Sequence, residues 1–334
     1  MMTLEQLRTQ LWPQMAASLE PYLLALGEDD TLLTRMTRYQ LDVTGKRVRP
    51  VLSYVSAMDA GASCEAALAM GAIVEVIHNA SLVHDDIQDG DQFRRGREAV
   101  WKAFSPRQAI NLGDMLMTLA LSVALDMPLE PLPRIHVMQL TVRAIGDLVR
   151  GQVRDIDTEG TMVSMEEYRA IASGKTGALF RLALVGGGLL GQGGDEQPPA
   201  LGHLENLGTD LGVLFQMRDD CIEVLGQKDG RQFSSELRSQ KASLINAVAG
   251  GILTAADQHT YSLLLSTLNE SPNSRRDLVE FLRSRGVLSE ALNILRAWRL
   301  RVEASPALAP GGQLKPVLLT ITASLCDDLQ KDFP

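Results

Sequence analysis

Apolar residues recur at three- and four-residue steps over residues 3–26, 65–85, 107–126, 134–151, 165–190 and 200–225, the period of a helix that buries one face. No stretch alternates Val, Ile and Thr between hairpin-turn residues, so the pattern predicts no sheet. Breakers separate the helical stretches: Met127-Pro128 with Pro131 and Pro133, then Gly191 to Pro199, then Ser305 to Pro316. None is long enough to mark a domain boundary, and the expectation is one all-helical domain over residues 1–334. Two stretches read as loops, the glycine-rich 186–194 and the polar 226–241, GQKDGRQFSSELRSQK.

Composition agrees with helix. Aromatics make up only 4% of the 334 residues, while Leu, Ala and Met, which lose little rotamer freedom in a helix, are plentiful. A formal net charge of −9 repels a phosphate backbone, and no basic stripe interleaved with aromatics occurs, so nucleic acid is not an expected partner. An anionic small substrate stays compatible if a metal ion reverses the local sign. Cys64, Cys221 and Cys326 are odd in number and far apart, which suggests neither zinc nor a disulfide framework and suits a reducing cytoplasm. The start, MMTLEQLRTQLWPQM, has no basic flank ahead of an apolar core, so no secretory signal is expected. No apolar run reaches the roughly 18 residues of a membrane span, so no integral membrane segment is expected either.

The candidate chemistry lies in two acidic clusters. In SLVHDDIQDGDQFRRG, residues 81–96, Asp85, Asp86 and Asp89 close an apolar helical run at i, i+1 and i+4. They fall within one arc about 100° wide, and like charges that close repel unless a cation lies among them. Carboxylate oxygens suit Mg²⁺, which takes one or two carboxylates and completes its shell with phosphate oxygens. Arg94 and Arg95 follow within two turns, in reach of the same phosphates. VLFQMRDDCIE, residues 213–223, repeats the spacing with Asp219, Asp220 and Glu223. Two helices ending in such triplets can face each other across a cavity and hold a diphosphate through several metal ions.

Basic pieces accompany them. Gly45-Lys46-Arg47-Val48-Arg49-Pro50 sets three cations ahead of a helix expected to start near Val51, and a helix N-terminus favours an anion. Gly174-Lys175-Thr176-Gly177 is a smaller turn of phosphate-binding type. His84-Asp85 also forms the His-Asp doublet of a phosphohydrolase class. Of the five histidines only His78 is near it, however, and that reading leaves Asp219 to Glu223 without a role.

In this order the motifs resemble those of the trans-isoprenyl diphosphate synthases, the family that makes farnesyl, geranylgeranyl and longer polyprenyl diphosphates. GKRVRP, HNASLVHDDIQD with RRG, GQVRDID, KTGALF and FQMRDDCIE match the family's motifs in sequence order over residues 40–245. The resemblance implies an antiparallel helical bundle around a deep central cavity, Mg²⁺ at three ions per active site, and a homodimer. It implies isopentenyl diphosphate and an allylic prenyl diphosphate as substrates, joined head to tail. By the same resemblance Lys46, Arg49, His78 and Arg95 bind the diphosphate of isopentenyl diphosphate. Asp85, Asp86, Asp89, Asp219, Asp220 and Glu223 hold Mg²⁺ on the allylic diphosphate, which Arg94, Lys175 and Lys241 grip. Thr176 and Gln216 lie beside the reacting carbons.

The chain departs from the family at the second acidic motif. DDxxD ends in Glu223, a glycine-lysine becomes Gly230-Arg231, GxD becomes Ser234-Ser235-Glu236, and GKxT becomes Gln240-Lys241-Ala242-Ser243. Charge type survives at each ionic position, so this half-site reads as altered rather than abolished. One turn above Asp85, the small Ala80 and Ser81 leave the tail cavity open, which argues against a farnesyl stop at that layer. Ile77, Val74 and the stretch from Met115 to Leu119 supply a lower floor that suits geranylgeranyl. Two other readings stay open on sequence. One is a terpene synthase on this fold, which has no need of GKRVRP and Arg95; the other is a non-catalytic partner subunit, which has no need of the first aspartate triplet.

Overall fold

The computed structural model describes residues 4–25, 31–42, 45–191, 199–225, 241–268, 273–308 and 310–330. Helices account for nearly all of them: α1 (Leu4–Ala25), α2 (Leu32–Leu41), α3 (Val48–Asp59), α4 (Cys64–Asp89), α5 (Val100–Ala103), α6 (Pro106–Leu125) and α7 (Pro131–Asp157). After α8 (Met165–Ala172) comes a π-helical turn at Ser173–Gly177, then α9 (Ala178–Leu190), α10 (Pro199–Leu225), α11 (Leu244–Ile252), α12 (Ala255–Ser266), α13 (Ser274–Ser284), α14 (Val287–Glu303) and α15 (Leu314–Gln330). The all-helical class read from the periodicity is the class observed. Starts follow local chemistry: the hydroxyls of Ser63, Ser105, Ser164 and Ser243 accept the backbone N–H three residues on and so cap α4, α6, α8 and α11.

The described chain forms two compact units. One gathers the described parts of Met1–Gly146, Ala178–Gly208 and Ser305–Ile321; the other gathers those of Asp147–Gly177, Thr209–Ala304 and Thr322–Pro334. In the first, α4 is the central helix, packed on α1, α3, α6 and α9. It is apolar nearly all round, from Ala66 to Val83, because neighbours cover every face. In the second, α11 packs on α8 and α14, and α13 on α12 and α14.

Four details differ from the sequence reading. Gly186, Gly187 and Gly188 are not loop but buried helix in α9. The backbone of Ser53 in α3 lies where a side chain on Gly187 would go, so glycine here permits close helix packing rather than a turn. Helix α3 begins at Val48 rather than near Val51, which puts Arg49 inside its first turn and leaves Lys46 and Arg47 ahead of it. A two-residue hairpin, β1 (Phe93–Arg94) against β2 (Arg97–Glu98), interrupts the helices. Its turn holds Arg95 at φ 53° and Gly96 at φ 82°, two positive values in succession, as tight hairpins require. Lastly, α4 and α6 are long and apolar enough to cross a membrane by length and composition, because mean hydropathy tolerates isolated polar residues that break a continuous run. Of the apolar window in α4, 72% is buried inside the protein, as in the core helix of a folded unit. Of the expected loop 226–241, residues 226–240 lie outside the described residues, and Gly230, Arg231, Ser234, Ser235, Glu236 and Gln240 with them.

Candidate active site

In the first unit, α4 ends at Asp89 and is closed by Gly90 at φ 69°. Asp85, Asp86 and Asp89 therefore stand on its last turn, where the partial negative charge of the helix end makes carboxylates unfavourable and a cation favourable. Asp86 is only 1% exposed. The hairpin returns Arg94 onto this turn: its guanidinium bonds Asp86 and lies 3.8 Å from both Asp85 and Asp91. Burial pushes the Asp86 carboxyl up to about 6; Arg94 opposes the rise, and the charges of Asp85 and Asp91 add to it. Asp86, Arg94 and Arg95 line a small cavity with Tyr39 and Gln40.

Two turns back on α4, His78 is held well below the usual imidazole range by burial, then by the positive charge of Arg49, Arg95, Arg94 and Arg47. Of these, Arg47 and Arg94 are paired with carboxylates, and the charge of Arg49 and Arg95 beside the buried ring suits an anion. The GKRVRP residues reach it because Arg47, at φ 48°, is anchored in the interior. Its guanidinium pairs with Glu75, donates to the Leu41 carbonyl at 2.8 Å and stacks 3.7 Å from the centre of the Trp12 ring. Asn79 bonds Glu75, and Gln40 bonds Asn79. The Arg95 guanidinium lies over Gly45, where a side chain would displace it. Arg49 lies 4.6 Å from the centre of the Phe180 ring, and Lys46 is exposed. Of the residues expected to bind isopentenyl diphosphate, Arg49, His78 and Arg95 thus come together, with Lys46 beside them in sequence. Glu75, Asn79 and Trp12 were not found by reading motifs; Glu75, one turn before Asn79 on an otherwise apolar helix, was the available signal.

His84 serves a different end. Its ring fills the space over Gly113 in α6, 3.4 Å from the Ile110 carbonyl and 3.6 Å from Asp114. These are helix-packing contacts, and they give no support to a His-Asp metal pair.

In the second unit, Asp219, Asp220 and Glu223 stand near the end of α10. Asp219 is 61% exposed and pairs with Arg218 at 2.7 Å. Asp220 is 6% exposed, and both its oxygens accept from the protein. Oδ2 takes the Tyr168 hydroxyl and the Leu244 amide, each at 2.7 Å, and Oδ1 takes Gln216 Nε2 at 2.9 Å. Burial raises the Tyr168 phenol well above its usual range, and Asp220 raises it further. Gln216 in turn accepts from Thr176 Oγ1 at 2.8 Å.

Lys175 and Thr176 sit in the π-helical turn. Wider turns of this kind recur at functional sites, where they re-aim side chains. The backbone of Gly174-Lys175 lies directly against Gly151 of α7, which leaves no space for a side chain there. Lys175 Nζ bonds Asp155 at 2.8 Å, and Lys241 Nζ lies 3.8 Å from Glu159. Lys175, Gln216, Asp220, Glu223 and Lys241 line one cavity together with Asp155 and Tyr168. Asp155 belongs to GQVRDID, a motif whose resemblance assigns it no role. Tyr168 was missed, although it lies seven residues, two helical turns, before Lys175.

Among the described residues no three His, Cys, Asp or Glu side chains converge into a closed metal cage. The donors nevertheless fit a Mg²⁺-type ion. They are hard oxygens at a helix C-terminus, and such an ion completes its shell with substrate oxygens rather than a full protein set.

A helical fold with an aspartate triplet beside an arginine-rich anion site defines an enzyme that handles diphosphates. The model of the polyprenyl synthetase family matches residues 30–283, and the chain belongs to that family. It is a prenyltransferase of isoprenoid biosynthesis, a trans-prenyl diphosphate synthase. It is similar to the short chain isoprenyl diphosphate synthase of Methanocaldococcus jannaschii, at 30% identity over 80% of this chain and 78% of that one. The farnesyl diphosphate synthase of Micrococcus luteus is 32% identical over 62% of this chain and 72% of its own. Among solved structures, a geranylgeranyl pyrophosphate synthetase from Pyrococcus horikoshii superposes with a TM-score of 0.84 at 26% identity, covering 96% of this chain and 98% of that one. A polyprenyl synthase from Caulobacter crescentus, complexed with calcium and isoprenyl diphosphate, shares the fold with a TM-score of 0.82 at 22% identity, over 97% of both chains. The family uses a divalent metal with diphosphate substrates.

Proposed function

We propose that this chain condenses isopentenyl diphosphate with an allylic diphosphate, head to tail (1'-4), to give all-trans geranylgeranyl diphosphate or a product of nearby length. The observation that carries this reading is the arginine-rich end of α4: Arg94 meets the aspartate triplet there, and Arg49 and Arg95 bring positive charge to the buried His78 on the same helix. It supports an isopentenyl diphosphate site, which a cyclase does not need. Lys46, Arg49, His78 and Arg95 bind that diphosphate. Asp85, Asp86 and Asp89, with Asp219 and Glu223, hold Mg²⁺, three ions in all, while Arg94, Lys175 and Lys241 grip the allylic diphosphate. When bound, Mg²⁺ supplies the positive charge that makes diphosphate a good leaving group.

The allylic carbon–oxygen bond breaks with the leaving diphosphate gripped by Arg94, Lys175 and Lys241, beside Thr176 and Gln216. The double bond of isopentenyl diphosphate, aligned by Lys46, Arg49, His78 and Arg95, attacks the allylic carbon, and the released diphosphate takes the proton. Product length rests on α4 and α6. Ala80 is small and fully buried, and Ser81 is small, which supports an open layer next to the aspartates. Val74, Ile77, Leu116 and Leu119 are buried bulky residues that suit a deeper floor.

The whole chain acts as one catalytic domain, since each compact unit is assembled from separated segments. A homodimer is supported by the exposed stripe Ile135, Val142, Val149 and Ile156 on α7, apolar at seven-residue steps. No disulfide joins the three cysteines, which suits a reducing cytoplasm.

The test is to incubate the purified protein with Mg²⁺, isopentenyl diphosphate and, separately, dimethylallyl, geranyl, farnesyl and geranylgeranyl diphosphates, with mass spectrometry of the products. Accumulation of a C20 diphosphate is expected. Hydrocarbons or alcohols formed without isopentenyl diphosphate would mean a cyclase, and no turnover would mean a partner subunit.

A further inference from the structure

The three carboxylates at the end of α10 do not have equivalent surroundings. Asp219 is open to solvent, whereas Asp220 is buried and both its oxygens are engaged by protein donors. A carboxylate can only accept. The Gln216 group facing it must therefore be the NH₂, which turns the Gln216 carbonyl towards Thr176. That carbonyl can only accept, so the Thr176 hydroxyl must spend its hydrogen on Gln216. The oxygen of Thr176 is left with its lone pairs as the group it offers to anything beside it. At the other end, the Tyr168 hydroxyl and the Leu244 amide hold Asp220 in place.

We propose that Asp220 is a positioning residue rather than a metal ligand: clamped by Tyr168 and Leu244, it sets the direction of the Gln216–Thr176 hydrogen bond, so that Thr176 presents an electron-rich oxygen to the reacting allylic carbon. This rests on the reading of Thr176 and Gln216 given above. An oxygen lone pair fixed before reaction stabilises the positive charge that develops there, without reorganisation at the moment of ionisation. Tyr168 enters as a further residue of the same device, acting through Asp220.

The experiment compares Asp220→Asn, Tyr168→Phe, Thr176→Val and the double variant Asp220→Asn/Thr176→Val with wild type in steady-state elongation. In parallel, calorimetric titration measures inorganic pyrophosphate binding in the presence of Mg²⁺, with Asp219→Asn as the comparison. Asp220→Asn allows the Gln216 amide to turn over, and kcat is expected to fall about 10–10²-fold, the scale of a misplaced catalytic group, while KM for both substrates and the half-saturating Mg²⁺ concentration hold. Tyr168→Phe is expected to lower kcat about fivefold, one hydrogen bond's worth, and it supplies the test if Asp220→Asn does not fold. The double variant is expected to lose no more than Thr176→Val alone. Pyrophosphate binding is expected to weaken in Asp219→Asn and to stay at the wild-type level in Asp220→Asn and Tyr168→Phe.

Weakened pyrophosphate binding in Asp220→Asn, a raised Mg²⁺ requirement, or losses that multiply in the double variant would each overturn the proposal. A wild-type protein that elongates no primer overturns the functional reading instead. The titration still judges Asp220 in that case, because it needs no turnover.

Discussion

The ends of α4 and α10 carry the same i, i+1, i+4 carboxylate spacing and are built differently. At the end of α4 the acidic turn meets charge: Arg94 reaches Asp85, Asp86 and Asp91 at once, and further guanidinium groups crowd around His78. At the end of α10, neutral donors from Tyr168, Gln216 and the Leu244 backbone absorb the middle carboxylate, while the nearby lysines face Asp155 and Glu159. The first arrangement concentrates opposite charges that a diphosphate and its metal can redistribute. The second spends one carboxylate on geometry. A motif's spacing therefore states which groups share a helix face, and the surroundings decide what each one does.

The largest expected effect falls on the α4 cluster. Asp85→Ala should lower kcat by about 10³-fold with every primer, as loss of a group that stabilises developing charge does; residual turnover within tenfold of wild type would remove the distinction drawn between the two helix ends.

Arg94→Leu should come next, at about 10²-fold at neutral pH. It takes away the cation that opposes protonation of Asp86, whose pKa is already up at about 6, so that pKa rises further and a larger share of the carboxyl is protonated near neutral pH. Activity of the variant should recover as pH rises, more steeply than in wild type. A pH–rate profile parallel to wild type would show that Arg94 acts on the substrate alone.

Gly151→Ala probes the α10 side without touching a charge. A methyl group there meets the backbone of Gly174 and Lys175, which cannot swing away as a side chain can. Thermal or urea unfolding should show a loss of about 1–3 kcal/mol, the usual cost of overpacking, with a fall in kcat as the π-helical turn is displaced. The smallest effect is expected at Gly202 in α10, where nothing lies within 4 Å of an added methyl. Gly202→Ala should raise stability by up to about 1 kcal/mol through helix propensity alone and leave activity unchanged.

Much of this was legible in the chain. The limits of α4, α6 and α10 follow the apolar periodicity closely, because a helix that buries a face must repeat apolar residues near every third or fourth position. The aspartates and basic residues of the first motif were legible for a related reason, being close in sequence on one helix end and its return hairpin. Gly186 to Gly188 misled, since glycine is as much a residue of close helix packing as of turns, and only the backbone of α3 beside them tells which.

The sequence by itself determined the helical class, the two acidic helix ends and the basic approach to the first, since all of these depend on neighbours within a turn or two. Only the tertiary structure decided that Arg47 is an interior strut while Arg49 and Arg95 join His78, and that Lys175 pairs with Asp155. The same holds for Asp220, which answers to Tyr168 in α8 and to the first residue of α11. Hydrogen-bond partners 52 and 24 residues away leave no periodicity to read. They are set when helices pack and each buried polar group must find a donor or acceptor on whichever element lies against it.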